Sequence, residues 1–206
     1  MNPTPSAVAP STTPPAAAPS AARPLRADAR RNRDRLLAVA AEALTGDAEV
    51  PLETVAERAD VGIGTLYRHF PNRAALIEAV YRHEVEALCD AAPVLLGEAP
   101  TALDALREWM SRFVHYVATK RGLGGALRDA VGSDSPLFTE TKHRILDALT
   151  VLLDACVAEG SVRRDVDATD AMLAMWGVWV VPDGPEWEAQ VRRLLTLVVD
   201  SLRFGA

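Results

Sequence analysis

Cysteine is nearly absent: Cys89 and Cys156 are the two in 206 residues. They stand far apart, which excludes a disulfide framework and a Cys-rich metal pattern. Reduced thiols in a helical core fit better, and suit the cytosol. Long apolar runs are missing as well. The longest, AMLAMWGVWVV at 171–181, falls short of the roughly 18–20 residues of a membrane span, so no membrane partner is expected. Aromatic residues are 5% of the chain, and the β-branched and aromatic enrichment of an all-β protein is lacking. The usual catalytic signatures are missing too. There is no H-E-x-x-H, no second E-x-x-H to pair with the one at 140–143, no nucleophile beside a base and no Gly-rich phosphate loop. His69, His83, His115 and His143 fall on separate helical segments, so no catalytic residue, metal or cofactor is expected.

Positive charge is also scarce, with a net charge of −6, but its distribution is uneven. From Arg23 to Arg82 there are 10 Lys+Arg against 9 Asp+Glu; beyond Arg82 there are 12 against 19. The stretch 26–35 (RADARRNRDR) carries 5 Arg and 2 Asp. A weakly basic head on an acidic body can approach DNA, because screening at physiological salt confines the phosphate field to about 8–10 Å.

What is present is Ala, Leu and Val within a 49% hydrophobic content, enough for a buried core and suited to helix. Residues 1–24 hold 7 of the 14 prolines and no core-forming pattern, which reads as a disordered arm. Residues 1–22 lack charge and a continuous apolar stretch, so no secretory signal is expected. From Ala27 the spacing is helical: Leu36, Leu37, Ala40, Ala41 and Leu44 recur at three and four residues. Pro51 suits the first turn of a second helix, to about Arg58. Asp60-Val61-Gly62 makes a turn, and a short helix runs to His69. Pro71-Asn72 opens a long helix to about Ala92, where Pro93 is expected to stop it. Five further helices are expected near 101–120, 123–131, 136–160, 167–181 and 185–203, with Gly122, Gly124 and Gly125 separating the first two. Ser135-Pro136 is an N-cap and first turn, and Glu159-Gly160 a stop. The expected fold is all-α, with about nine helices.

The most informative stretch is Pro51 to Ile77, PLETVAERADVGIGTLYRHFPNRAALI. Two short helices joined by a tight turn carry small apolar residues, Val55, Ala56 and Ala59, that permit a close steep crossing. Such a helix-turn-helix lays its second helix, about 62–69, in the DNA major groove. The run GTLYRHFPNRAALI resembles the signature of the TetR family: Gly64, Thr65, Leu66, Tyr67, His69, Phe70 and Arg73 match, and Val55, Ala56, Ala59 and Val61 fit upstream. The chain departs from that pattern at Asp60, where Gly is common, and at Gly62, where Ser is frequent. Asp tolerates a left-handed turn, and the bare N–H groups at Gly62 can meet a phosphate.

Chemistry then distributes roles over the DNA-facing residues. Ile63 and Thr65 reach base edges or thymine methyls, and Gly64 lets the backbone approach. Tyr67, His69 and Arg73 suit phosphate oxygens, and Arg68 either backbone or base. Arg30, Arg31 and Arg33 suit phosphates or the minor groove, or simply form a solvated face.

Beyond residue 100, Leu106, Trp109, Phe113 and Tyr116 share one helical arc, with His115 opposite. Such an arc reads as plain core or as a pocket. The resemblance implies an effector cavity among the later helices, with Leu88, Cys89, Trp109, Phe113, Tyr116, Phe138, Met172 and Trp176 as candidates. No positive residue stands among them, which points to a neutral, hydrophobic effector. The last two helices are apolar enough to pair with a second copy through Trp179, Trp187, Val191, Leu194, Leu195, Val198 and Leu202, or to cover their own core.

The resulting expectation is a disordered arm at 1–24, a DNA-binding domain at 25–71 and an effector-binding, dimerising domain at 72–206. The function expected is that of a cytoplasmic homodimeric regulator, a repressor released from a pseudo-palindromic double-stranded operator by a small molecule. The alternatives are a ligand-binding or adaptor dimer without DNA binding, and a small helical enzyme.

Overall fold

Short polar side chains set where the helices begin. Asn72, Thr101, Ser135 and Asp167 each accept a hydrogen bond from a backbone N–H two or three residues on, satisfying a donor that the first helical turn leaves open. In the computed structural model, which describes residues 22–47 and 49–203, the elements are α1 (Ala22–Gly46), α2 (Leu52–Arg58), α3 (Ile63–His69) and α4 (Arg73–Glu98). There follow α5 (Ala102–Val131), α6 (Pro136–Glu159), α7 (Ala168–Met175), a 3₁₀ segment (Trp176–Val180) and α8 (Trp187–Ser201). Among the described residues there is no strand, as an all-α reading requires.

Four boundaries differ from expectation. Helix α1 starts at Ala22, so 22–24 belong to it rather than to the arm, with Pro24 in the first turn, where a missing N–H costs nothing. The rest of the proposed arm, 1–21, lies outside the described residues. Pro93 does not stop α4, which continues to Glu98. Proline removes one hydrogen bond, but the buried Ala91, Ala92 and Leu95 hold the helix across the gap. The two helices expected at 101–120 and 123–131 form one span, broken at a single non-helical residue, Gly124. The helix expected to run to 181 gives way to tighter 3₁₀ turns after Met175.

The head is built on α1, α2 and α3, whose Leu36, Leu37, Leu44, Val55, Ala56, Leu66 and Phe70 are buried together. The body centres on α4, packed along α5 and α6. Trp109 of α5 is fully buried and donates its indole N–H to the Leu88 carbonyl of α4 at 2.9 Å. Tyr81 of α4 and Tyr116 of α5 join hydroxyl to hydroxyl at 3.3 Å.

Head and body meet where α1 ends. A Cβ on Gly122 would stand 2.7 Å from the Thr45 Cα, so glycine is the residue that lets α5 approach α1 this closely. Two turns before Gly122 on the same helix, His115 bridges to Glu84 of α4 at 3.3 Å. The hydrogen bond to Glu84 raises the His115 pKa above its ordinary value; partial burial opposes this, and the charges of Glu84, Glu42 and Glu188 add to the rise.

Gly122→Ala is expected to lower the denaturation midpoint and cost about 1–3 kcal/mol through backbone overpacking. Gly125→Ala, whose Cβ would meet nothing within 4 Å, is expected to be neutral or stabilising, and urea unfolding compares the two. The His115–Glu84 strut should contribute fully below the unfolded histidine pKa and fade as pH rises through the higher folded value. His115 is 67% exposed, so the gain over His115→Gln should be only a few tenths of a kcal/mol at pH 6 and smaller at pH 8.5.

Candidate nucleic-acid interface and ligand chamber

Helix α3 is short, and one residue, Leu66, anchors it in the core. Phe70 follows as a buried extended residue that turns the chain toward α4. The remaining side chains are displayed. Ile63, Gly64, Tyr67, Arg68 and His69 are exposed and Thr65 is half-buried. Tyr67 is 44% exposed, so its hydroxyl is open to a partner outside the head. The turn before α3 places Asp60 at φ 53, the left-handed conformation that a short polar side chain tolerates. Gly62 occupies the N-cap without a side-chain hydrogen bond. Helix α3 contains no acidic residue, and its last turn carries Arg68 and His69.

Two predicted phosphate ligands sit differently from each other. Arg33 is exposed on α1 with its guanidinium 5.7 Å from the centroid of the Phe70 ring, a cation–π contact that holds it beside the end of α3. Arg73 is half-buried and donates to the Val50 carbonyl at 2.7 Å. That bond ties the start of α4 to the loop before α2, so the contact described for Arg73 is internal framework. The side chains of Arg30 and Arg31 lie outside the described residues.

In the body, the aromatic arc of α5 opens on one side into a chamber of about 370 Å³ between α5, α6 and α7. Five predicted residues line it: Phe113, Tyr116, Phe138, Met172 and Trp176. Three do not. Leu88 and Trp109 are buried core, Trp109 stacking on Phe113 with ring centroids 5.8 Å apart. Cys89 faces a separate shallow hollow with Arg144 and Asp147, and burial pushes its thiol pKa up to about 11.

The chamber also contains residues that the sequence reading missed: Lys120, Thr141, Lys142, Ile145, Met175 and Trp179. Lys120 corrects the expectation that no positive group is present. It follows Tyr116 by four residues and Phe113 by seven, the spacing of one helical face, and that was the available signal. Trp179, Lys120 and Phe138 form the wall to a larger, more open cleft of about 910 Å³, lined further by Thr45, Arg121, Gly122, Arg128, Asp183 and Trp187. Arg121 pairs with Asp183, donates to the Trp179 carbonyl at 3.3 Å and lies over the Trp187 ring.

The residues expected to pair with a second copy fall into different settings within one chain. Trp179 and Trp187 line the cavities, while Val191, Leu195 and Leu202 are buried in their own core. Leu194 and Val198 are half-buried against that core. The large apolar side chains left open on this side are Leu173, Trp176, Val180 and Leu197, exposed by 54–77%. Within Trp176–Val180 the 3₁₀ turns advance about 120° per residue, so a wheel at 100° misplaces these five residues. Among the described residues no cluster of three or more His, Cys, Asp or Glu could hold a metal ion. No described helix is long and apolar enough to cross a membrane.

Comparison with known proteins places these features. Residues 36–80 match the family model of the bacterial regulatory proteins of the tetR family. Residues 101–204 match that of the C-terminal domain of SbtR-like transcriptional regulators. The crystal structure of TetR transcriptional regulator SCO0520 from Streptomyces coelicolor is 44% identical, with a TM-score of 0.78 over 84% of this chain and 99% of that one. A TetR transcription regulatory protein from Mycobacterium vanbaalenii is 33% identical, with a TM-score of 0.70 over 87% and 99%. Over 69 residues the chain is 39% identical to the HTH-type transcriptional repressor KstR of Mycolicibacterium smegmatis, covering 31% of this chain and 33% of that repressor's length.

Proposed function

This chain belongs to the TetR family of DNA-binding transcriptional regulators, which bind operator DNA as dimers, and on that premise we propose that it is a repressor released from its operator by a small molecule held in the α5–α7 chamber. The observation that carries the DNA-binding half is the display of α3. It buries Leu66 alone and turns Ile63, Gly64, Tyr67, Arg68 and His69 outward, with no acid to repel a phosphate. Base reading falls to Ile63, Gly64 and Thr65 in the first turn. Tyr67 and His69 hold phosphates, joined by Arg33 from α1, and Arg68 serves backbone or base. Arg73 acts one step back, fixing α4 against the head.

A second copy docks on the open apolar face of Leu173, Trp176, Val180 and Leu197, giving a two-fold dimer. Such a dimer sets its recognition helices about 34–36 Å apart, one turn of B-DNA.

Release needs an element that both sites bias, and two are available. Helix α4 begins directly after α3 and carries Tyr81, which meets Tyr116 and Phe138 of the chamber wall. Helix α5 carries Lys120 in the chamber and, two residues on, Gly122 against Thr45 of the head. A ligand that moves either helix changes the seating of the head, and a coupling of about 1–3 kcal/mol suffices for a 5–150-fold loss of affinity.

Fluorescence anisotropy with a duplex from the region upstream of the chain's own gene tests the reading. A salt-sensitive, sequence-selective complex is expected. Tyr67→Ala should weaken it by about tenfold across sequences, whereas Thr65→Ala should weaken it and also relax sequence preference. Wild-type behaviour of Tyr67→Ala, or equal affinity for unrelated duplexes, would contradict it.

A further inference from the structure

Lys120 is a cation in an aromatic box. Its Nζ lies 4.9 Å from the ring centroid of Trp179, 5.6 Å from Phe138, 5.7 Å from Tyr81 and 5.9 Å from Tyr116. No Asp or Glu forms an ion pair with it among the described residues. The carboxylate nearest in function, Asp183 of the adjoining cleft, is taken by Arg121. Facing rings attract an ammonium group by about 0.5–2 kcal/mol, well short of replacing the hydration of a buried charge. Burial accordingly lowers the Lys120 pKa, with no acidic neighbour to offset it. Lys120 is half-buried, and lysines drawn partly out of water are normally paired.

Lys120 stands on the wall between the open cleft and the chamber, and on the chamber side its neighbours include the apolar Phe113, Ile145, Met175 and Trp176. A second cation, the exposed Lys142, stands on the same chamber. No acidic residue lines it.

We infer that the chamber is a specific site for an apolar organic acid, whose single carboxylate pairs with Lys120 and whose aryl or alkyl body lies among Phe113, Ile145, Met175 and Trp176. The volume of about 370 Å³ is at the small end of the ~300–1,000 Å³ range of small-molecule sites, which suits a compact acid. This rests on the reading of the chamber as the effector site and adds the charge of the effector. The incoming carboxylate supplies the missing counter-charge, so the acid gains where its neutral analogue does not. Its ion pair forms inside low-dielectric walls, where it is stronger than in water. The rings around Nζ hold the ammonium in place before the ligand arrives, which limits the ordering cost of binding.

Calorimetric titration of the full-length dimer tests this with matched probes: decanoate against decan-1-ol, and 4-phenylbutanoate against 4-phenylbutanamide. Each acid is expected to bind at least tenfold tighter than its neutral partner. Lys120→Met should erase that preference and leave the neutral probes bound as in wild type, while Lys120→Arg should retain part of it. Thermal melting of each variant guards against misfolding, and Lys120→Met, which removes an uncompensated charge, should melt no lower than wild type. Equal binding of acid and neutral partner, equal losses for both in Lys120→Met, or no acid binding up to millimolar concentration would each overturn the inference. Acid binding through Lys120 that leaves the operator complex intact would support the site and overturn the release mechanism instead.

Discussion

Helix α4 has three sets of neighbours, and the fold depends on satisfying all of them at once. Its first turn is capped by Asn72 and tied through Arg73 to the Val50 carbonyl of the head. Its middle is joined to α5 by the Tyr81–Tyr116 hydroxyl pair and, one turn beyond Val85, by the Trp109 indole on the Leu88 carbonyl. Its last turns pack on α6 through buried Ala91, Ala92 and Leu95 despite Pro93. A rod held this way transmits displacement along its length, because packed interiors rearrange between discrete states rather than deform smoothly. Helix α4 thus touches both the chamber wall and the head, which is why the proposed release mechanism runs through it.

The second route is the close crossing of α5 and α1. Gly122 brings the α5 backbone against Thr45, and the same stretch of α5 places Lys120 in the chamber and Arg121 on Asp183. Three consecutive residues thus line the chamber, pair with the loop before α8 and meet the head. Gly124, two residues beyond Gly122, breaks the helical conformation of the same stretch.

Much of this was legible in the sequence because it is encoded locally. Ser135-Pro136 and Gly160 mark their boundaries through hydrogen bonds that one or two residues make with their neighbours. Asp60 announces its left-handed turn for the same reason. The recognition helix was readable because Leu66 and Phe70 face inward at a spacing that leaves Tyr67, Arg68 and His69 outside. Features that depend on tertiary partners were not readable. Periodicity marks Val191, Leu195 and Leu202 as an apolar face without saying whether a second copy or their own core covers it; the core does. That Trp179 and Trp187 line cavities was not readable either, because the 3₁₀ turns and the loop after them break the helical phase. Lys120 lies on the aromatic arc by spacing, but a lysine reads as surface until the rings around it are seen.

The central claim is that a two-fold pair of α3 helices reads a split operator. A DNase I footprint on the region upstream of the chain's own gene tests it most directly. One symmetric protected stretch is expected, with half-sites whose centres lie about 10–10.5 base pairs apart or a whole multiple of that spacing. Protection of a single asymmetric half-site, or none at concentrations where the dimer is fully formed, would contradict it.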